Sequence, residues 1–289
     1  MAVVLITGCS SGFGKLAAGE LAAAGHQVIA TMRDIHDRNR EQKAELEKIA
    51  NVRVLELDVT SDASVERAVE LAESETPLDA VVHNAGIGAH GVAEGSTTEQ
   101  FSYIMEVNMI GVHRLNRAVL PLLRARKSGL LIYMSSGLGK TSLPYFATYC
   151  ASKHALEAYA ESLGYELSTH GIDTVIIQPG SYLTGFRKKI LYPDDPGRLA
   201  DYAVEQAESE QLDRNTMEML NSEMAPDPRD VTNAMIKVLS MSPGERPLRI
   251  ALRKDAGGLK MINQICGEVQ GAMLRGMNLE HRIPKRPQL

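Results

Sequence analysis

The 289-residue chain reads as one α/β unit, a doubly wound parallel sheet of about seven strands with helices on both faces. Three features carry that reading. Apolar runs such as Val3-Val4-Leu5-Ile6 lack the in-and-out alternation of half-exposed strands, as strands buried on both faces should. These runs take turns with helix-prone segments, the right-handed crossovers that parallel neighbours require. A composition of 44% hydrophobic and 23% charged residues belongs to a chain with a large core and not to a disordered one.

The first strand stops at Thr7-Gly8, and an Ala- and Leu-rich helix over about 13–24 ends at Gly25, a residue suited to a left-handed cap. Val28 to Met32 is the second strand. A polar helix near 38–50, a strand from Val52 to Leu57, a helix over about 62–74 entered through Thr60-Ser61-Asp62, and a strand from Ala80 to His83 follow. The pattern then predicts one long helix over 98–126, a strand from Leu130 to Met134, a helix over 149–169, a strand from Thr174 to Gln178 and a last strand from Leu248 to Leu252. The alternation fails over about 182–228, where Tyr192-Pro193-Asp194-Asp195-Pro196-Gly197 and Pro226-Asp227-Pro228 bracket a charged, helix-prone piece, read as an inserted substrate loop or lid. A C-terminal extension spans about 254–289, and its end, carrying His281, Arg282, Lys285 and Arg286 among prolines, reads as a solvated tail.

Composition also excludes. With 31 basic and 36 acidic residues the net charge is −5, so there is no basic field for nucleic acid or an anionic membrane. Aromatic residues are 4% and tryptophan is absent, which leaves little for base stacking. No apolar run reaches the roughly 18 residues of a membrane span, and a strand in place of a basic leader predicts a cytoplasmic protein. Cys9, Cys150 and Cys266 are scattered and odd in number, which suits a reducing compartment; Cys9, if exposed in its loop, keeps a minor redox role open. His83, His113 and His154 show no metal-ligand spacing, and no metal is expected.

The chemistry begins at Thr7-Gly8-Cys9-Ser10-Ser11-Gly12-Phe13-Gly14, between the first strand and its helix. There glycines let the backbone approach a pyrophosphate, and free N–H groups with the positive end of the helix dipole stabilise its charge. The G-x-G-x-x-G pattern is met in weaker form, with Ala17 in the third place. A triphosphate-cleaving P-loop fails: five residues separate Gly8 from Gly14-Lys15, where four are needed, and Leu16 stands where Ser or Thr should hold magnesium.

The loop resembles that of the short-chain dehydrogenase/reductase family, and further motifs follow in that family's order: Leu57-Asp58-Val59, Asn84-Ala85-Gly86, Asn108-Met109-Ile110-Gly111, Ser136, Tyr149-x-x-x-Lys153, and Pro179-Gly180 with Thr184. The likeness is dense over about 2–184. Tyr149-Cys150-Ala151-Ser152-Lys153 with Ala155-Leu156-Glu157 looks especially like the 17-beta-hydroxysteroid dehydrogenase type 1 and retinol dehydrogenase branch. Phe13 and His83 depart from the family's usual Ile and Asn. The resemblance implies a Rossmann-fold oxidoreductase, a homodimer or homotetramer, whose cofactor lies against Gly8, Ser10, Ser11, Gly12, Phe13, Gly14, Arg33, Asp58, Val59, Asn84, Ala85, Gly86, Tyr149, Lys153, Pro179, Gly180 and Thr184. It implies catalysis by Asn108, Ser136, Tyr149 and Lys153.

Tyr149 and Lys153 lie four residues apart on a predicted helix, so they share a face. Bringing a phenol from about 10 to about 7 takes about 4 kcal/mol, which a desolvated cation with an oxidised nicotinamide could supply, making Tyr149 the general acid and base. Ser135 and Ser136 both follow an apolar strand, and chemistry alone does not choose between them; the family spacing favours Ser136. Asn108 falls inside a predicted helix, where Asn is a poor former, and the family uses it in a water relay to the lysine.

Where a Rossmann site reads a ribose hydroxyl with an acid after the second strand, Met32 stands here, followed by Arg33, which favours the 2′-phosphate of NADP(H); Asp34, one residue on, keeps NAD(H) in view. Tyr182, Leu183, Phe186, Leu191 and Tyr192 suggest an apolar lining for a hydrophobic ketone or secondary alcohol, steroid-like or retinoid-like. The main alternative is an NADP(H)-binding redox sensor without turnover, and a sugar-nucleotide epimerase ranks behind it.

Overall fold

The computed structural model describes residues 1–252 and 256–284. Seven strands form one parallel sheet: β1 (Val3–Ile6), β2 (Gln27–Met32), β3 (Val52–Glu56), β4 (Ala80–His83), β6 (Gly129–Met134), β7 (Ile172–Pro179) and β9 (Arg249–Leu252), in the order β3-β2-β1-β4-β6-β7-β9. Every pairing is parallel, with Val4 beside Val28 on one flank and Ala80 on the other. The chain runs outward from β1 to β3, then returns to lay β4 on the opposite side of β1. That reversal opens a crevice at the carboxyl ends of β1 and β4, where ligands of such sheets bind.

Two apolar layers cover the sheet. One face packs against α1 (Gly12–Ala23) and α9 (Arg229–Ser240), through Ala17, Leu21, Val231 and Met235. The other packs against α3 (Asp62–Glu75), α5 (Gly111–Arg126) and α6 (Ala147–Leu167), through Val65, Leu115, Val119 and Leu156. The central strands are fully buried, which is why they read as unbroken apolar runs. The polar helix after β2 is shorter than expected, α2 (Arg40–Leu46).

The long helix expected over 98–126 is interrupted. α4 (Thr98–Met105) starts from a capping box in which Thr97 and Gln100 each bond the other's backbone N–H. A π-turn over Glu106–Ile110 follows, and α5 resumes at Gly111, where an added Cβ would sit 2.8 Å from Val59 Cβ. Apolar periodicity runs through all three pieces, so it hid the break; π-turns often mark functional positions.

Two short strands also escaped the pattern. β5 (Gly88–Ala89) and β8 (Ile190–Leu191) pair in a separate parallel ladder and tie the segment after β7 to the turn after β4. Two-residue strands have no period to read. Beyond β8 stand α7 (Pro196–Leu199) and α8 (Ala203–Leu220). The C-terminal stretch holds α10 (Gly257–Gly276). Its end is not merely solvated, because Arg282 donates to the Glu166 carbonyl at 3.2 Å and to Thr169 Oγ1 at 3.0 Å. Lys285 and Arg286 lie outside the described residues. Among the described residues no helix is long and apolar enough to cross a membrane.

Candidate active site

Thr7 ends β1 and organises the crevice. Its Oγ1 accepts from the Asn84 and Ala85 backbone N–H groups at 3.0 and 2.9 Å, and Asn84 Nδ2 donates to the Thr7 carbonyl at 2.7 Å. The loop after β1 and the turn after β4 are thereby stitched together. Gly8 takes a φ of 74°, and a Cβ there would fall 2.9 Å from Ala85 Cα. Gly14 faces this seam, where a Cβ would meet Asn84 Nδ2 at 2.4 Å. α1 then starts at Gly12 behind Ser11, whose side chain makes no cap hydrogen bond, so the helix's positive end opens into the crevice.

A cavity of about 850 Å³ occupies this place. Of the residues expected at a cofactor, Gly8, Ser11, Gly12, Phe13, Asn84, Ala85, Gly86, Pro179, Gly180 and Thr184 line it, as do Ser136, Tyr149 and Lys153. Ser10, Gly14, Arg33, Asp58, Val59 and Asn108 do not line it. Asp58 Oδ1 is engaged by the Thr60 backbone N–H and hydroxyl at 2.9 and 2.8 Å, and Asp58 Oδ2 stands 3.7 Å from the half-buried Arg33 guanidinium. The crevice has the features a dinucleotide phosphate needs, glycine backbone and an open helix start, and the Arg33 cation after β2 stands outside its lining.

α6 starts after Phe146, which places Tyr149 and Lys153 on one face of the helix, towards the end of β6. Ser136 neighbours the Tyr149 hydroxyl and favours its ionised form. Ser136 Oγ accepts from the Leu138 N–H at 3.1 Å. Ser135 also lines the cavity, but its buried Oγ has no partner among the described residues, and a Cβ on Gly139 would lie 2.5 Å from it. Ser136, not Ser135, therefore stands beside the tyrosine. Lys153 Nζ donates to the Met134 carbonyl at 2.8 Å and lies 5.9 Å from the centre of the Tyr149 ring.

The expected lowering of the phenol is not seen in the protein alone. Burial pushes Tyr149 up to about 12, against the opposing influence of the Ser136 hydroxyl. Burial also brings Lys153 down to about 8, with Glu157 opposing the fall. The amine is thus poised near neutrality while the phenol is held protonated, ready to give its proton.

Asn108 is buried behind the site. Its Oδ1 accepts from the Ile87 N–H at 2.9 Å, and its Nδ2 donates to the Ile87 carbonyl at 2.9 Å and to Ser152 Oγ at 3.0 Å. A Cβ on Gly86 would come within 3.2 Å of Asn108 Oδ1 and 3.7 Å of Lys153 Nζ.

The outer half of the cavity is lined by Leu143, Phe146, Phe186, Leu212, Met219 and Met224. Of the apolar residues expected there, Tyr182 and Phe186 are lining residues, whereas Leu183, Leu191 and Tyr192 are not. Tyr182 packs edge-on against Phe13, their ring centres 5.4 Å apart. A polar latch fastens α8 over this half: Arg187 is ion-paired with Asp213, and buried His90 stands 3.8 Å from Asp213 and 3.3 Å from Ser209 Oγ. His90 also stacks on Phe146 at 4.5 Å.

Lys189 is a residue that sequence reasoning missed. It lines the cavity, and burial lowers its ammonium, helped by repulsion from Arg33 and Arg38. Lys189 thus joins Arg33 and Arg38, two cations of the segment after β2, from a distant part of the chain. Cys9, in contrast, is buried with its thiol pushed up to about 12 by burial, which removes the thiolate a redox role needs. Among the described residues no group of three or more His, Cys, Asp or Glu could hold a metal ion.

Comparison with known proteins agrees with this architecture. The short chain dehydrogenase family model matches residues 2–194. A 3-ketodihydrosphingosine reductase of Bacteroides thetaiotaomicron is 39% identical over 202 residues, 70% of this chain and 71% of its own. Retinol dehydrogenase 8 of Homo sapiens is 33% identical over 254 residues, 85% of this chain and 79% of its own. Among solved structures, a short-chain dehydrogenase from Streptomyces avermitilis superposes with a TM-score of 0.76 at 27% identity, over 96% of this chain and 98% of its own. An alcohol dehydrogenase from Thermococcus sibiricus, complexed with 5-hydroxy-NADP, gives 0.70 at 25% identity, over 88% and 97%. Neither the retinol nor the 17-beta-hydroxysteroid branch stands out over the 3-ketodihydrosphingosine reductase.

Proposed function

Since the chain belongs to the short-chain dehydrogenase family, we propose that it is an NADP(H)-dependent oxidoreductase that exchanges a hydride with a hydrophobic ketone or secondary alcohol. The observation that carries this reading is that Ser136, Tyr149 and Lys153, the last two one helical turn apart on α6, line the same cavity as the glycine loop.

The cofactor is held by the groups already described. The Gly8–Gly14 loop and the start of α1 take the pyrophosphate, Arg33 with Lys189 takes the 2′-phosphate, Asp58 and Val59 bound the adenine end, and Asn84 to Gly86 with Pro179, Gly180 and Thr184 bound the nicotinamide end. Bound NADP(H) supplies or accepts the hydride, chemistry that no side chain here provides. In reduction Tyr149 donates its proton to the substrate oxygen, and in oxidation the phenolate takes it back. Ser136 hydrogen-bonds the same oxygen, and the Lys153 charge makes the phenolate tolerable. Both N–H groups of the Asn108 amide are engaged, on Ile87 and Ser152, while its Oδ1 accepts one bond from Ile87 and keeps a second lone pair for the water relay to Lys153.

The apolar outer half supports a long or polycyclic hydrophobic substrate, and the names of the relatives, a 3-ketodihydrosphingosine reductase and a retinol dehydrogenase, support the same class. Exposed Phe101 and Ile110 on the α4–α5 surface support a homo-oligomer. The test is NADPH oxidation over a panel of hydrophobic ketones. Turnover of at least one, at the expense of NADPH rather than NADH, is the expected result. Tight NADPH binding with no turnover on any member overturns the reading.

A further inference from the structure

Tyr149, Lys153, Glu157 and Glu161 recur at every fourth position of α6 and form one stripe. Glu157 is 1% exposed, yet both its oxygens are satisfied: Oε1 accepts from Gln178 Nε2 at 2.8 Å, and Oε2 from Arg249 Nε at 2.8 Å. The other two nitrogens of Arg249 donate to Glu161, at 3.1 and 2.8 Å, and Lys140 approaches Glu161 at 3.8 Å. Charge therefore alternates through the interior from Lys153 to Glu157, Arg249, Glu161 and Lys140. From outside, α10 closes the cluster, with Asn263 Nδ2 donating to Gln178 Oε1 at 2.8 Å. Well-packed apolar side chains would stabilise such a core at least as well, so the row calls for a purpose other than stability.

We propose that Glu157 is a positioning residue for the reaction: locked by Arg249 and Gln178, its carboxylate keeps the buried Lys153 ammonium charged beside Tyr149. This rests on the roles given to Tyr149 and Lys153 above. Among the described residues, the groups placed near Lys153 come from four elements. Its own helix offers Tyr149 and Glu157, β6 offers the Met134 carbonyl, the π-turn offers neutral Asn108, and the turn after β4 offers the Gly86 backbone. Arg249, Glu161 and Lys140 stand on the far side of Glu157. Glu157 is the carboxylate whose charge counters the burial of Lys153, which already lies at about 8. Without that charge the ammonium loses its proton at lower pH, and the phenolate loses its stabiliser in the neutral range.

The test follows the Lys153 ¹³Cε signal of lysine-labelled protein through a pH titration, the signal being assigned by its absence in Lys153→Met. In Glu157→Gln the Lys153 midpoint is expected to fall by about one pH unit, and the alkaline limb of kcat/KM to move down with it. An unmoved midpoint, or an activity loss equal at every pH, overturns the proposal and leaves Glu157 a packing residue. If the Gln variant does not fold, Glu157→Asp, which keeps the charge on a shorter arm, is expected to move the midpoint less and in the same direction; no movement overturns the proposal there too. The titration needs no turnover, so an absence of activity on every ketone would count against the proposed function and leave this coupling measurable.

Discussion

Asn108 and Ile87 exchange two hydrogen bonds of 2.9 Å each, one in each direction between an amide side chain and a backbone peptide. The π-turn aims Asn108 inward, and the clamp it makes holds the turn that carries Gly86 beneath Lys153. Replacing Asn108 with leucine strands the half-buried Ile87 N–H and carbonyl, so the expected cost is about 1–3 kcal/mol of stability, measurable by urea unfolding. Because the turn also borders the cofactor, NADPH affinity should fall with it. Unchanged stability in Asn108→Leu would show that the clamp is not structural.

Discrimination between the nicotinamides is assigned to Arg33 with Lys189. Arg33→Ala should weaken NADPH binding by at least about tenfold and leave NADH nearly untouched, since a charge-assisted pair to a phosphate is worth about 1.5–3 kcal/mol. Lys189→Ala should move the same ratio by less, because Arg33 and Arg38 remain. Both ratios follow from fluorescence titration of each cofactor, and equal losses for NADPH and NADH would remove these residues from 2′-phosphate recognition.

His83 supplies a prediction for acid stability. It stacks on Tyr133 at 4.8 Å, and burial brings it from 6.5 down to about 3. The folded protein therefore keeps it neutral while the unfolded chain binds a proton, so stability falls as pH drops from about 6.5 towards 3 and is insensitive to this group above that window. His83→Phe keeps the ring and removes the titration, and should abolish about 2 kcal/mol of the loss between about pH 7 and pH 4.5. Parallel stability curves for the two proteins across that range would contradict the assignment.

The sheet was legible because its strands are buried on both faces and its crossovers are helical, so runs such as Val3 to Ile6 and Leu130 to Met134 declare themselves. The Gly8–Gly14 loop and the Tyr149–Lys153 pair were legible because their spacing is local. What stayed hidden is non-local or aperiodic. The π-turn at Glu106–Ile110 leaves the apolar pattern of its flanking helices intact, and β5 and β8 are too short to show a period. Lys189 reaches the cations after β2 only through the fold, and the Arg187–Asp213–His90 latch joins three separate segments. The tyrosine's state in the protein alone was hidden for a related reason: helix spacing shows that Lys153 is near, whereas the burial that raises Tyr149 depends on everything packed around it.

The central claim is that the Tyr149 hydroxyl carries the proton. Its most direct measurement is kcat/KM for NADPH-dependent reduction by Tyr149→Phe beside the parent, with NADPH affinity measured in both. The account predicts a loss of about 10²–10⁴ in kcat/KM, the usual worth of a positioned acid, with NADPH binding within about threefold of the parent. A Tyr149→Phe variant that reduces the substrate at the parent rate while binding NADPH normally would contradict it, and the proton would have to come from another group.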